Sequence, residues 1–175
     1  MSKELDRVAF IGLGVMGYPM AGHLAKSGKA VTVFNRTTAK AEQWLSEFAG
    51  HGECAVAATP KAAATGADVV FMCVGNDDDV RSVALGSDGA LAGMAAGSVL
   101  VDHTTASQQL AVELGAACAA ADVRFLDAPV SGGQAGAENG ALTIMLGGSE
   151  ADYHCVQGLL DVYAKKSALM GPIGA

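Results

Sequence analysis

Three groups of residues in this chain have the types and spacing to handle a ligand. Gly12, Gly14 and Gly17 stand in G-x-G-x-x-G spacing between the apolar run Val8 to Ile11 and a stretch in which Met20, Ala21, Leu24 and Ala25 recur at helical intervals. Asn35-Arg36-Thr37 ends a second apolar run, Ala30 to Phe34, and Ser131-Gly132-Gly133 closes the segment Asp127-Ala-Pro-Val-Ser-Gly-Gly133. The first group has the chemistry of a phosphate cradle. Gly12 lets the chain turn sharply, Gly14 has no side chain to hold a pyrophosphate off the backbone, and Gly17 lets the following helix pack on the strand. The helix start adds unpaired N–H groups and a partial positive charge. Because the glycines sit inside a complete strand–helix–strand unit, they predict dinucleotide binding by Gly12, Leu13, Gly14, Val15 and Met16.

The second group predicts which dinucleotide. At the end of the second strand of such a unit, about 20 residues past the first glycine, an acidic residue would accept hydrogen bonds from the ribose 2′-OH of NAD. Asn35, Arg36 and Thr37 stand there instead, with no Asp or Glu. A carboxylate would repel a 2′-phosphate, whereas a guanidinium pairs with it and can lie along the adenine. NADP(H) is therefore the preferred cofactor, with NAD(H) the second choice.

Other candidates follow from position. Ligands of open α/β sheets bind outside the carboxyl ends of the strands, so Val74, Gly75 and Asn76, after the apolar run Asp68 to Val74, should border the cofactor. Asp77, Asp78 and Asp79 read as caps of a helix running from Val80, complementing its dipole. After a fifth strand, Gly97 to Asp102, Ser107 reads as the cap of a helix from Gln108 to Ala121, and Thr105 as a cofactor contact. Ser131 and the N–H groups of Gly132 and Gly133 offer a small anion or hydroxyl site, although a plain glycine-rich turn would read the same way.

The elements that must position these groups alternate. A helix at Lys40 to Phe48, a strand at Ala55 to Ala57 and a short helix from Thr59-Pro60 to Gly66 precede the fourth strand. Strands at Val123 to Asp127 and Leu142 to Leu146 follow the fifth. A helix from Ser149 to about Tyr163 and a last strand at Ser167 to Met170 complete the series. The pattern predicts a Rossmann-type, doubly wound α/β domain: a mostly parallel sheet with helices on both faces. At 175 residues one such domain fits and a second of similar size does not. Hydrophobic residues make up 51% and aromatics 5%, so the core must be Ala, Val, Leu and Met in close helix–sheet contact.

Charge and cysteines exclude several functions. The formal net charge is -7 and the 11 basic residues are scattered, so neither nucleic acid nor an anionic membrane is an expected partner. The polar start and the short first apolar run give no signal peptide or spanning segment, and a cytoplasmic location is expected. Cys54, Cys73, Cys118 and Cys155 lie far apart with no C-x-x-C, and His23, His51, His103 and His154 have no ligand spacing. Buried thiols and surface or packing histidines are expected, and no metal.

The chain resembles the cofactor domain of the β-hydroxyacid dehydrogenases, which include 3-hydroxyisobutyrate dehydrogenase, tartronate semialdehyde reductase and succinic semialdehyde reductases. The resemblance rests on Gly12-Leu-Gly-Val-Met-Gly17 with Pro19-Met20-Ala21, on Asn35-Arg36-Thr37, on Asp102 to Ser107, and above all on Asp127-Ala-Pro-Val-Ser-Gly-Gly133. It implies that Ser131, Gly132 and Gly133 hold the carboxylate and hydroxyl of a small acid beside the nicotinamide, that Thr105 contacts the cofactor, and that NADP(H) is preferred. It also implies a catalytic lysine on a helix just past a Gly-x-x-Gly-x-Gly stretch. The chain ends inside that stretch, at Gly171-Pro-Ile-Gly-Ala175, so the domain reads as truncated before an all-helical second domain that completes the pocket and the homo-oligomer. On that reading the 175 residues bind cofactor and turn over poorly. A 6-phosphogluconate dehydrogenase, an imine reductase and a non-catalytic NADP-binding module are the alternatives.

Overall fold

The computed structural model describes residues 5–174. Nine strands form one sheet whose first six run parallel in the order β3-β2-β1-β4-β5-β6, the order of a doubly wound dinucleotide-binding sheet. They are β1 (Arg7–Ile11), β2 (Ala30–Phe34), β3 (Cys54–Val56), β4 (Val69–Met72), β5 (Val99–Asp102) and β6 (Arg124–Asp127).

The core explains why the central strands read as unbroken apolar runs. Side chains alternate between faces along a strand, and both faces are covered. Val8 and Phe10 of β1, Val69 and Phe71 of β4, and Val99 and Val101 of β5 enter one apolar cluster. Ala9, Ile11, Val70, Met72 and Leu100 enter the other. Helices α1 (Gly17–Lys26), α2 (Thr38–Phe48) and α8 (Glu150–Leu160) cover the first face; α3 (Pro60–Ala64), α4 (Asp77–Leu85), α5 (Ala90–Gly93) and α6 (Gln108–Ala120) cover the second. Met20, Ala21, Leu24 and Ala25 of α1 are all buried, as their spacing predicts.

The carboxyl-terminal third departs from the simple alternation. The glycine-rich segment after β6 is not a plain turn: it holds a two-residue strand, β7 (Val130–Ser131), and a short helix, α7 (Gly133–Glu138). Strand β8 (Leu142–Gly147) runs antiparallel to β6 and β7, and β9 (Ala164–Gly171) lies parallel to β8. Helix α8 stops at Leu160 rather than near Tyr163, because Val162 and Tyr163 donate to the carbonyls of Leu159 and Leu160 and tighten the chain into a turn. The last strand is correspondingly longer than Ser167 to Met170, and Lys165 and Lys166 are exposed strand residues on it.

Candidate functional site

The three glycines of the first turn meet three different constraints. Gly12 has φ +100, and a Cβ there would lie 2.1 Å from the Cys73 carbonyl oxygen. A Cβ on Gly17 would lie 2.0 Å from the Gly12 carbonyl oxygen. Both positions are therefore closed to side chains by backbone. A Cβ on Gly14 would meet nothing within 4 Å, so its bareness serves the space outside the chain.

That space is a cleft of about 420 Å³ at the carboxyl ends of β1, β2 and β4. Ten of the twelve residues expected to hold the cofactor line it: Gly12, Leu13, Gly14, Val15, Met16, Asn35, Arg36, Thr37, Val74 and Gly75. Asn35 also braces its wall. Its Oδ1 accepts from the Leu13 N–H at 2.9 Å and its Nδ2 donates to the Thr37 carbonyl at 3.1 Å, tying the glycine turn to the end of β2.

Two of the helix starts on the cleft are left open. Thr59, Asn76, Ser107 and Ser149 each cap their own helix through the side chain. Met16 and Thr37, which precede α1 and α2 and line the cleft, make no such bond, and neither helix has an acid in its first turn. The positive ends of two helices thus reach the cleft with no side-chain cap and no acid of their own in the first turn, a setting suited to phosphate.

The remaining two cofactor candidates lie elsewhere. Asn76 is not among the lining residues; its Oδ1 accepts from the Asp79 N–H at 2.9 Å and caps α4. Thr105 is exposed on the loop after β5 and likewise absent from the lining. Its neighbour Thr104, which no sequence feature singles out, is buried and accepts the Val74 N–H at 3.0 Å, joining that loop to the cleft wall.

The three aspartates do not act together as caps. Helix α4 begins at Asp77 and is capped by Asn76. Asp77 accepts from the N–H and hydroxyl of Ser107 at 3.0 and 2.6 Å, bonds that hold its carboxyl below the usual range. Asp78 faces Arg81 at 3.4 Å. Asp79 turns into the cleft, where its Oδ1 lies 3.6 Å from Arg36 Nη1.

Behind the cleft lies a buried polar group at the ends of β5 and β6. His103 Nδ1 faces the Ala128 carbonyl at 2.7 Å and so must carry the proton; Nε2 then accepts from the Tyr163 hydroxyl at 2.5 Å. The ring stacks on Phe71, with centroids 5.8 Å apart. Burial keeps this imidazole neutral, pushing its pKa down to about 4. Burial raises Asp102 to about 6, against the hydrogen bonds from Thr104, and raises the Cys73 thiol to about 12.

Ser131 ends β7 with its side chain exposed, and Gly132 and Gly133, at φ +130 and +64, take left-handed backbone that favours glycine. This segment joins α7 to the sheet and does not line the cleft. No group of three or more metal-ligating side chains is present among the described residues. Nor, among them, is any helix long and apolar enough to cross a membrane.

A cradle of this geometry defines a class of domain, and comparison with known proteins fixes the family. Residues 7–171 match the family described as the NAD binding domain of 6-phosphogluconate dehydrogenase. The chain belongs to that family. An uncharacterized oxidoreductase of Shewanella frigidimarina is 57% identical over 98% of this chain and 57% of its own length. A probable 3-hydroxyisobutyrate dehydrogenase-like protein of Arabidopsis thaliana is 43% identical over 96% of this chain and 49% of its own. Among solved structures, 3-hydroxyisobutyrate dehydrogenase of Mycobacterium tuberculosis with L-serine superposes with a TM-score of 0.89 at 32% identity, covering 98% of this chain and 56% of that one. The expected Rossmann-type fold and the expected kinship with 3-hydroxyisobutyrate dehydrogenase-like proteins are thus both found. The chain spans about half the length of the relatives it matches.

Proposed function

We propose that this chain is the NADP(H)-binding part of an oxidoreductase that moves hydride between nicotinamide and a small β-hydroxy acid or its semialdehyde. The observation that supports the cofactor preference is Arg36. It stands on the cleft at the end of β2, 88% exposed, where an NAD-preferring domain would place a carboxylate on the strand end. Gly12 to Met16 hold the pyrophosphate against the uncapped start of α1, and Arg36 pairs with the 2′-phosphate. The cofactor, when bound, supplies the hydride chemistry; the chain supplies orientation and charge.

Ser131 and the N–H groups of Gly132 and Gly133 take the substrate carboxylate and hydroxyl. A phosphorylated sugar acid fits less well. Gln134 donates to Glu138 at 2.8 Å beside this segment, so its neighbours bring an acid where a second anionic group would need a base. Lys165 and Lys166, exposed on β9, are not the proton donor of this reading.

Titration of the chain with NADPH and NADH tests the proposal. NADPH should bind at least roughly tenfold tighter, a difference that Arg36→Ala removes. A ratio unchanged by that substitution contradicts the assignment. In the NADP⁺-saturated chain, Ser131→Ala should weaken binding of 3-hydroxyisobutyrate without altering that of NADP⁺.

A further inference from the structure

The cleft carries one charged side chain that the cofactor proposal does not use. We infer that Asp79 is a specificity-determining residue of this site, a counter-charge that restrains the preference for the 2′-phosphate. The inference rests on the reading of the cleft as a dinucleotide site with Arg36 at its 2′ end.

The geometry is specific to one of three adjacent aspartates. Asp77 is engaged by Ser107 and Asp78 by Arg81, each outside the cleft lining. Asp79, Ser82 and Val83 lie at i, i+3 and i+4 on α4 and present one helix face to the cleft opposite β2. The Asp79 side chain is 30% exposed against 94% for Asp78. Its Oδ2 lies 2.8 Å from where a Cβ on Gly75 would be, so the glycine leaves room for the carboxylate to reach inward. Its Oδ1 then meets Arg36 across the cleft at 3.6 Å.

An arginine so placed is not a free cation waiting for phosphate. A 2′-phosphate that docks on Arg36 must share it with a carboxylate or displace it, and it brings up to two negative charges close to a third. A 2′-hydroxyl suffers no such repulsion, and a carboxylate can accept from it. The residue missing from the end of β2 is thus supplied, in part, from the helix facing it. The interaction is solvent-exposed on the Arg36 side and therefore screened, which limits its size to about three- to tenfold in affinity.

The test is the NADPH-to-NADH affinity ratio of the purified chain at low and at physiological salt. Asp79→Asn, which keeps the size and one acceptor oxygen while removing the charge, should tighten NADPH about three- to tenfold and leave NADH equal or weaker, with the gain shrinking as salt rises. Asp78→Asn removes the same charge from the same helix turn outside the cleft and should leave the ratio where it was. Thermal melts of both variants control for folding, and Asp79→Ser provides a second neutral side chain should Asn perturb the turn. A ratio unmoved by both neutral variants at position 79, or moved equally by Asp78→Asn, overturns the inference. If Arg36→Ala alters the ratio while the position-79 variants do not, Asp79 is dismissed and the cofactor proposal stands. If Arg36→Ala has no effect either, the cofactor proposal itself fails.

Discussion

The cofactor cleft and the Ser131 segment are both glycine-rich, yet they are built differently. Around the cleft, Gly12 and Gly17 are forced by contact with backbone carbonyls, and the walls include the carboxyl ends of β1 and β4, which are buried on both faces. At the Ser131 segment the strand is two residues long, and the tightest contact of a Cβ on Gly132 would be a Leu142 methyl at 3.2 Å, with backbone only at ordinary contact distance. Beside it Met145 of β8, whose N–H donates to the Pro129 carbonyl, is 47% exposed. A site of fixed backbone tolerates no change in its framework, whereas a site on a mixed-sheet edge bends before it breaks. One region has a framework fixed by backbone contacts, and the other presents its groups on a more open surface.

The largest predicted effect breaks the cleft alone. Gly12→Ala places a methyl inside the Cys73 carbonyl and demands φ +100 of an alanine, at a cost on the order of 3–5 kcal/mol. Urea unfolding should show a chain at the edge of stability, while Gly132→Ala, despite φ +130, should lose clearly less because its neighbour is a flexible leucine end. Equal losses would remove the distinction between the two regions.

A second prediction concerns the junction between them, where His103 on the β5 loop holds the Ala128 carbonyl at the head of the Ser131 segment. A histidine with folded pKa lowered to about 4 resists protonation in the native state, so it subtracts stability as pH falls below its unfolded value of 6.5. A carboxyl raised to about 6, as Asp102 is, favours its protonated form in the native state and adds stability as pH falls through that value. Each change amounts to about 3 kcal/mol between pH 6.5 and 4. The two act in opposite directions, so the wild type shows less of either. Asp102→Asn should expose the histidine, giving a stability that falls steeply over that window in denaturant titrations. A variant profile parallel to the wild type would contradict this.

The smaller effects sharpen the division of labour. Arg36→Ala should cost roughly tenfold in NADPH affinity with little change in melting temperature, since the side chain is exposed. Ser131→Ala should change neither NADPH affinity nor stability measurably and should act only on the small acid.

How much of this was legible in the sequence follows the same line. The parallel core and the cradle were readable because burial on both faces writes unbroken apolar runs, and because a turn with no room for Cβ leaves glycines at fixed spacing. Strand β7 and helix α7 were not readable: two residues carry no period, and Gly133-Gln-Ala-Gly-Ala-Glu138 has only Ala137 buried to mark a face. All three aspartates lie in the first turn of α4, as complements of its dipole should, but the turn of Asp79 into the cleft was not readable. Three identical residues at a helix start look like one electrostatic feature, and only the facing of α4 separates one from the other two. Thr104 and Thr105 are adjacent hydroxyls on a loop, and nothing in the sequence says which of them turns inward.

The central claim, that the glycine turn is a dinucleotide cradle rather than a turn that merely needs glycine, is tested most directly at Gly14. Gly14 lines the cleft, and a methyl there touches nothing in the protein. Calorimetric titration of Gly14→Ala with NADPH, beside its melting curve, should show a melting temperature close to the wild type and an affinity at least about tenfold weaker. A variant that melts like the wild type and binds NADPH as tightly would contradict the account.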